Sequence, residues 1–166
     1  LQRQQLQEAV FAALLDGDCD DDKLHTRLQA QAWLPGGPLG QQQLDTLRDE
    51  VAPYARAFLQ WRAGDAAPRE FELAIDGVRL HGRLDACYPH GLARMRFGEL
   101  HGPAQIRHGL DWLIASALND ARPLVQFAEI DRQFGPHPRP ARVRDAAINA
   151  LRALLALREQ GLHTPL

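Results

Sequence analysis

Apolar positions in the first third of the chain recur at helical spacing. Leu6, Val10, Ala13 and Leu14 mark a helix over 2–15, and Asp16-Gly17 ends it with a glycine suited to a helix C-terminus. Asp20, Asp21 and Asp22 open a second helix, roughly 20–32, where acidic groups complement the helix dipole; it closes in Leu34-Pro35-Gly36-Gly37-Pro38. A third helical stretch, about 41–63, carries Leu44, Leu47, Val51, Ala55, Phe58 and Leu59 on one stripe, and Pro53 inside it predicts a kink or a split. The period then changes to two. Phe71, Leu73 and Ile75 alternate with polar residues up to an Asp76-Gly77 hairpin signal. Val78, Leu80, Leu84 and Ala86 alternate with Arg79, His81, Arg83 and Asp85. After the Tyr88-Pro89-His90-Gly91 turn, Ala93, Met95 and Phe97 alternate with Leu92, Arg94 and Arg96. The pattern predicts an antiparallel three-strand meander with one apolar and one charged face. A helix over 104–118 with Ile106, Leu110, Leu113, Ile114 and Ala117 inward follows, then a strand from Leu124 to Ala128. Gly135 to Pro140 reads as a stiff loop, and Val143, Ala147, Leu151, Leu154, Leu155 and Arg158 predict a last helix over 140–160.

These elements make an α+β chain: a helical segment over 1–66, then an α/β core over 67–166 with a meander and a further strand flanked by helices. At 166 residues the chain is long enough for one real core, and 45% hydrophobic and 24% charged residues is ordinary globular composition. It starts at Leu1 and stops at Leu166 just after a helical segment, which reads as part of a larger protein. No apolar run approaches the roughly 18 residues of a membrane span, and no signal peptide is recognisable. Cys19 and Cys87 form no framework, so the expectation is a cytoplasmic protein. A net charge of -2 argues against a general affinity for nucleic acid; any DNA contact must be local. The positive charge is almost all arginine, with Lys23 the only lysine.

The predicted order of helix, three antiparallel strands, helix, strand and helix resembles the restriction-endonuclease-like nuclease core, of PD-(D/E)xK type. In RecB-like nuclease domains the second strand ends in glycine, any residue, isoleucine, aspartate. The third carries an acid and, two residues on, a lysine, then a glycine. Gly82-Arg83-Leu84-Asp85 matches the former, and Leu92-Ala93-Arg94-Met95-Arg96-Phe97-Gly98 lies where the latter belongs. Gly91 to Arg96, the helix with Leu110, Trp112 and Leu113, the Leu34-Pro35-Gly36-Gly37 element, and the tail from Ala153 to Leu162 with Pro165-Leu166 resemble the RecC family, the gamma subunits of exodeoxyribonuclease V.

That resemblance puts Arg94 at the second acid and Arg96 at the lysine. A nuclease of this kind holds magnesium between acidic groups and uses a lysine to help activate water. Asp85 supplies one carboxylate, but Arg94 sets a permanent cation where the metal belongs. The expectation is a vestigial site of Asp85, Arg94 and Arg96, with no catalytic residue, metal or cofactor, and an ion pair between Asp85 and Arg94 across adjacent strands. Glu72 or Glu99 is a candidate relocated second acid, but the lysine that helps activate water would still be missing.

Arg79, Arg83, Arg94 and Arg96 are expected to share the charged face with His81, as a DNA-facing surface, a subunit contact or a solvated face. Asp16 to Asp22 suggests a calcium loop, but Asp21 and Arg27 stand where glycine and an acid are required. His81, His90, His101 and His108 share no metal-ligand spacing and read as surface or loop residues. Trp33, Trp61 and Trp112 read as packing anchors, with Trp33 and Leu34 alternatively at a partner interface. Arg139, Arg142 and Arg144 sit at the unfavourable end of the last helix, as a solvated face or an anion contact. No nucleotide-binding glycine motif is present.

The resemblance implies a non-catalytic scaffold and DNA-guiding domain of the gamma subunit of a RecBCD-type helicase-nuclease in double-strand break repair. Its partners would be the other subunits and forked or single-stranded DNA. The alternative is an active magnesium-dependent nuclease using Asp85 with a relocated acid; a stand-alone DNA-binding protein is a third reading.

Overall fold

The computed structural model describes residues 2–17, 21–99, 101–131 and 133–163. Asp18, Cys19 and Asp20 of the acidic loop, and Pro165-Leu166 of the tail, lie outside them. Among the described residues the order is α1 (Gln2–Asp16), α2 (Asp21–Ala30), α3 (Gly37–Trp61), β1 (Arg69–Ile75), β2 (Val78–Leu84), β3 (Cys87–Tyr88), β4 (Gly91–Glu99), α4 (Gly102–Ala117), β5 (Leu124–Ile130), β6 (Gln133–Arg139) and α5 (Arg144–His163). The chain is mixed α+β, with a β1–β2 ribbon and a four-stranded sheet in the order β3-β4-β5-β6.

Helix α3 is not split at Pro53; it runs from Gly37 to Trp61. Leu44, Leu47 and Val51 before the proline and Ala55 and Phe58 after it are all buried. Burial on both sides keeps the helix continuous against the roughly 3 kcal/mol cost of an interior proline. The helix starts earlier than the apolar stripe does, because Pro38 in its first turn has no donor to lose there.

The expected three-strand meander is two structures. Asp76 and Gly77 both have positive φ (49° and 84°), the backbone of a tight hairpin turn, and β1 pairs β2 in full register. The ribbon ends at Asp85-Ala86, where Ala86 takes φ 55°. Leu84 and Cys87 are both buried although three residues apart. A strict alternation cannot place both inward, so the chain takes an extra residue and leaves the ribbon. Strand β3 then pairs β4 through Cys87↔Leu92 and Tyr88↔Gly91.

Strand β4 reaches its parallel partner β5 across α4. The segment expected to be a stiff loop is the edge strand β6, antiparallel to β5. Pro136 and Pro138 stand at alternate positions, so their missing donors fall on one side of the strand, which an edge tolerates. Two glycines of the recognised motifs have packing reasons. A Cβ at Gly91 would lie 2.6 Å from the carbonyl oxygen of Pro123, and at Gly82 3.1 Å from the Phe71 ring that covers it across the ribbon.

The two faces of the sheet differ in chemistry. Ala93, Val125 and Phe127, with Met95, pack on Phe58, Trp61 and Phe11 from α3 and α1. Ring contacts Phe58–Phe127, Phe58–Tyr88, Trp61–Phe127 and Tyr54–Phe97 carry this layer along the C-terminal part of α3. On the opposite face Leu92 and Leu124 join Leu73, Ile75 and Leu84 of the ribbon, Trp112 and Ala115 of α4, and Ala147 and Leu151 of α5. Ile106 and Leu110, expected inward on α4, are 74% and 41% exposed, because the buried side of α4 is the one carrying Trp112 and His108. Val143 and Leu154 of the last expected stripe are also exposed.

Phe127 is fully buried in the aromatic layer. Phe127→Ala is expected to cost about 3–5 kcal/mol and lower the melting temperature by roughly 10 °C. Leu39→Ala, at an exposed position, should stay within about 0.5 kcal/mol. Equal effects in a thermal unfolding series would contradict this layering.

Candidate functional site

Where Leu92 and Leu124 give way to Arg94 and Gln126, the face of the sheet under α4 turns polar. Arg94 and Gln126 are register partners on β4 and β5, so both side chains project toward the helix. Above them α4 presents His108 and Asp111, three residues apart and therefore on one helical face. Two pairs result.

Arg94 binds Asp111. Its Nε and Nη2 lie 2.8 and 2.7 Å from the same carboxylate oxygen, Oδ2. Its Nη1 donates to the main-chain oxygens of Asp85 (2.9 Å) and Ala93 (2.8 Å). The side chains keep only 16% and 24% exposure, so this pair is far better shielded than an ordinary surface ion pair.

His108 binds Gln126, with Nδ1 3.0 Å from the amide nitrogen. An amide nitrogen only donates, so Nδ1 accepts and the neutral ring carries its proton on Nε2. Burial holds the His108 pKa below the usual histidine value, and the Arg94 guanidinium pushes it the same way. The expectation of a surface or loop histidine is corrected: His108 is 7% exposed on a helix.

The predicted Asp85–Arg94 ion pair does not form. The Asp85 carboxylate bonds Arg83 Nε at 2.8 Å and is 63% exposed. The positive φ at Ala86 turns the chain so that the backbone carbonyl of Asp85, and not its carboxylate, meets Arg94. The four arginines expected on one face are dispersed by the same break. Arg79 and Arg83 stand on the exposed ribbon, Arg79 within 4.0 Å of Glu72. Arg94 is enclosed under α4, and Arg96 donates to the carbonyl of Glu99 at 2.9 Å.

The groups around Arg94 do not suit a divalent cation. The carboxylates of Asp85 and Asp111 are each bonded to an arginine. Glu72, a candidate relocated acid, faces Arg79 on the ribbon. Among the described residues no group of three or more His, Cys, Asp or Glu could hold a metal ion.

Two further arginine groups explain positions that sequence alone left open. Arg139 and Arg142 lie 4.0 and 5.7 Å from the centre of the Trp112 ring, whose Nε1 donates to Pro140 O at 2.9 Å. Arg144 Nε donates to the Ala117 carbonyl at the end of α4, so the basic start of α5 serves the C-terminus of a neighbouring helix. Asp120 takes both Arg122 and Arg69, and its carboxyl is held below the usual range mainly by the Arg122 hydrogen bond.

The sequence matches the family model described as RecC C-terminal domain over residues 1–166. The chain belongs to that family. No curated protein matches the sequence. RecC proteins are subunits of the RecBCD exodeoxyribonuclease V complex of DNA repair, so the family of this domain works with the other RecBCD subunits and with DNA. Among the described residues no helix is long and apolar enough to cross a membrane. Asp111, Gln126 and buried His108 of this RecC-family domain were not singled out as site residues in the sequence. The spacing of 108 and 111 on a recognised helix was the available signal, but their pairing depends on the β4–β5 register.

Protonation of His108 puts a charge on a buried ring beside Arg94. With a folded pKa below the unfolded value of about 6.5, the unfolded chain takes the proton first. Stability is therefore complete above that pH and falls as pH drops toward the folded pKa. His108→Gln is expected to show a smaller fall in melting temperature between pH 7.5 and pH 5.5 than the parent. Identical pH dependence in the two proteins would remove His108 from this account.

Proposed function

We propose that this domain is a non-catalytic, nuclease-like scaffold of a RecC-type gamma subunit, retained to seat the helicase subunits and guide DNA strands. The observation that carries the reading is Arg94. It stands at the place where a nuclease of the restriction-endonuclease-like core would carry its second acid. Its guanidinium is bonded to Asp111 and two main-chain carbonyls, so a permanent cation already lies beneath α4. The order of ribbon, β4, α4 and β5 supports such a core, with Asp85 just after β2 and Arg94 and Arg96 on β4. Asp85 is bonded to Arg83, and Arg96 stands in the place of the lysine, which supports a site with neither a free carboxylate at Asp85 nor an amine beside an activated water.

In this reading Arg79 and Arg83, exposed on the ribbon, meet phosphates, while Arg94 does not leave its internal partners. The domain carries no cofactor of its own, and its work is cytoplasmic.

Incubation of the chain with linear DNA and magnesium or manganese is expected to give no cleavage above a metal-free control. Metal-dependent cutting that disappears in Asp85→Ala would establish the alternative, an active nuclease with a relocated acid. For the DNA-guiding role, the Arg79→Ala/Arg83→Ala pair in the assembled complex should weaken forked-DNA binding and reduce the slope of log affinity against log salt by about two. An unchanged slope would exclude the ribbon as a phosphate contact.

A further inference from the structure

Three N–H groups of the Arg94 guanidinium donate to three oxygens, and Nη2 closes an ion pair on one of them. Nε and Nη2 converge on Asp111 Oδ2 at 2.8 and 2.7 Å along one edge of the plane. On the other side Nη1 reaches Asp85 O at 2.9 Å and Ala93 O at 2.8 Å. These oxygens come from α4, from β4, and from the break at which the ribbon leaves the four-stranded sheet. We propose that they form a binding site for a planar guanidinium-type cation, occupied in this chain by its own side chain. The site would take up a small free guanidinium ion when that side chain is removed.

The selectivity follows from shape. One carboxylate oxygen on one side and two carbonyls on the other fit a flat ion whose donors radiate in a plane. An ammonium presents three donors from one point and cannot reach both sides together. Magnesium requires about six oxygens at ~2.1 Å, and this site offers a single carboxylate. Arg94 and Asp111 keep 16% and 24% exposure, so a small ion has a route in from solvent. The proposal goes beyond the scaffold reading and does not depend on whether the domain touches DNA.

The test uses Arg94→Ala in the full 166-residue chain. The alanine leaves out the atoms of ethylguanidinium, which is the probe. Thermal unfolding of the variant is expected to fall roughly 10 °C below the parent, because a shielded carboxylate loses its partner. Ethylguanidinium at ~10 mM, far below denaturing concentrations, should raise the variant by about 3 °C or more in a saturable way. Ammonium and magnesium at matched ionic strength should not. Adding Asp111→Asn should abolish the rise. Arg94→Lys should remain well below the parent and gain nothing from the probe. If Arg94→Ala does not fold unaided, refolding from urea with the probe should restore its near-UV circular dichroism.

A variant as stable as the parent, no rise and no refolding with ethylguanidinium, or a lysine variant at parental stability would each overturn the proposal. Absence of rescue would leave the non-catalytic reading untouched. Stabilisation by magnesium in place of ethylguanidinium would overturn the guanidinium site and count against the non-catalytic reading as well.

Discussion

A guanidinium enclosed between one carboxylate and two main-chain carbonyls joins the parts of this domain that hydrophobic burial alone would leave in loose register. Arg94 ties α4 to β4 through Asp111 and ties both to the carbonyl of Asp85 at the ribbon's exit. Removing one partner of such a shielded pair typically costs about 3–5 kcal/mol, since the other is left charged without a counter-ion. An apolar pair of similar volume could fill the same space at no loss of stability. What the ion pair adds is direction, since its hydrogen bonds join α4, β4 and the end of the ribbon at fixed atoms.

That placement has chemical consequences. Beside the ion pair, His108 and Gln126 complete a polar row between α4 and the sheet. The row borders the core formed by Leu92, Leu124 and Trp112. The other face of the same strands is aromatic and dry, with Phe58 and Phe127 at its centre. Charge, hydrogen-bonding capacity and the buried histidine therefore collect on one side of the sheet. The ribbon, held to α5 by Arg152 and Asp76, carries its own exposed arginines outside that enclosure. In this RecC-family domain an enclosed cation is thereby separated from the exposed cations of the ribbon.

The sequence showed all five helices and most of the strands, because their apolar spacing survives in the folded chain. Its errors cluster at places where a local rule met a tertiary one. Pro53 suggested a kink or a split, and the split does not occur, because the stripe from Leu44 to Phe58 is buried on both sides of it. Pro136 and Pro138 suggested a loop, yet an edge strand tolerates missing donors on its open side. Ile106 and Leu110 suggested an inward stripe on α4, but the helix turns His108 and Trp112 to the sheet. Of the candidate site residues, Arg94 and Arg96 do lie on β4, whereas the partner of Arg94 is Asp111 and not the expected Asp85.

By itself the sequence determined the element types, the ribbon turn at Asp76-Gly77 and the arginines at 94 and 96, because periodicity and turn chemistry are local properties. Only the tertiary structure decided that Asp111 and not Asp85 neutralises Arg94, and that Gln126 selects the tautomer of His108. Those contacts span a parallel crossover and a one-residue shift at Ala86. A single added residue in an extended chain reverses which side its neighbours face, and no spacing rule read along the chain can supply that shift.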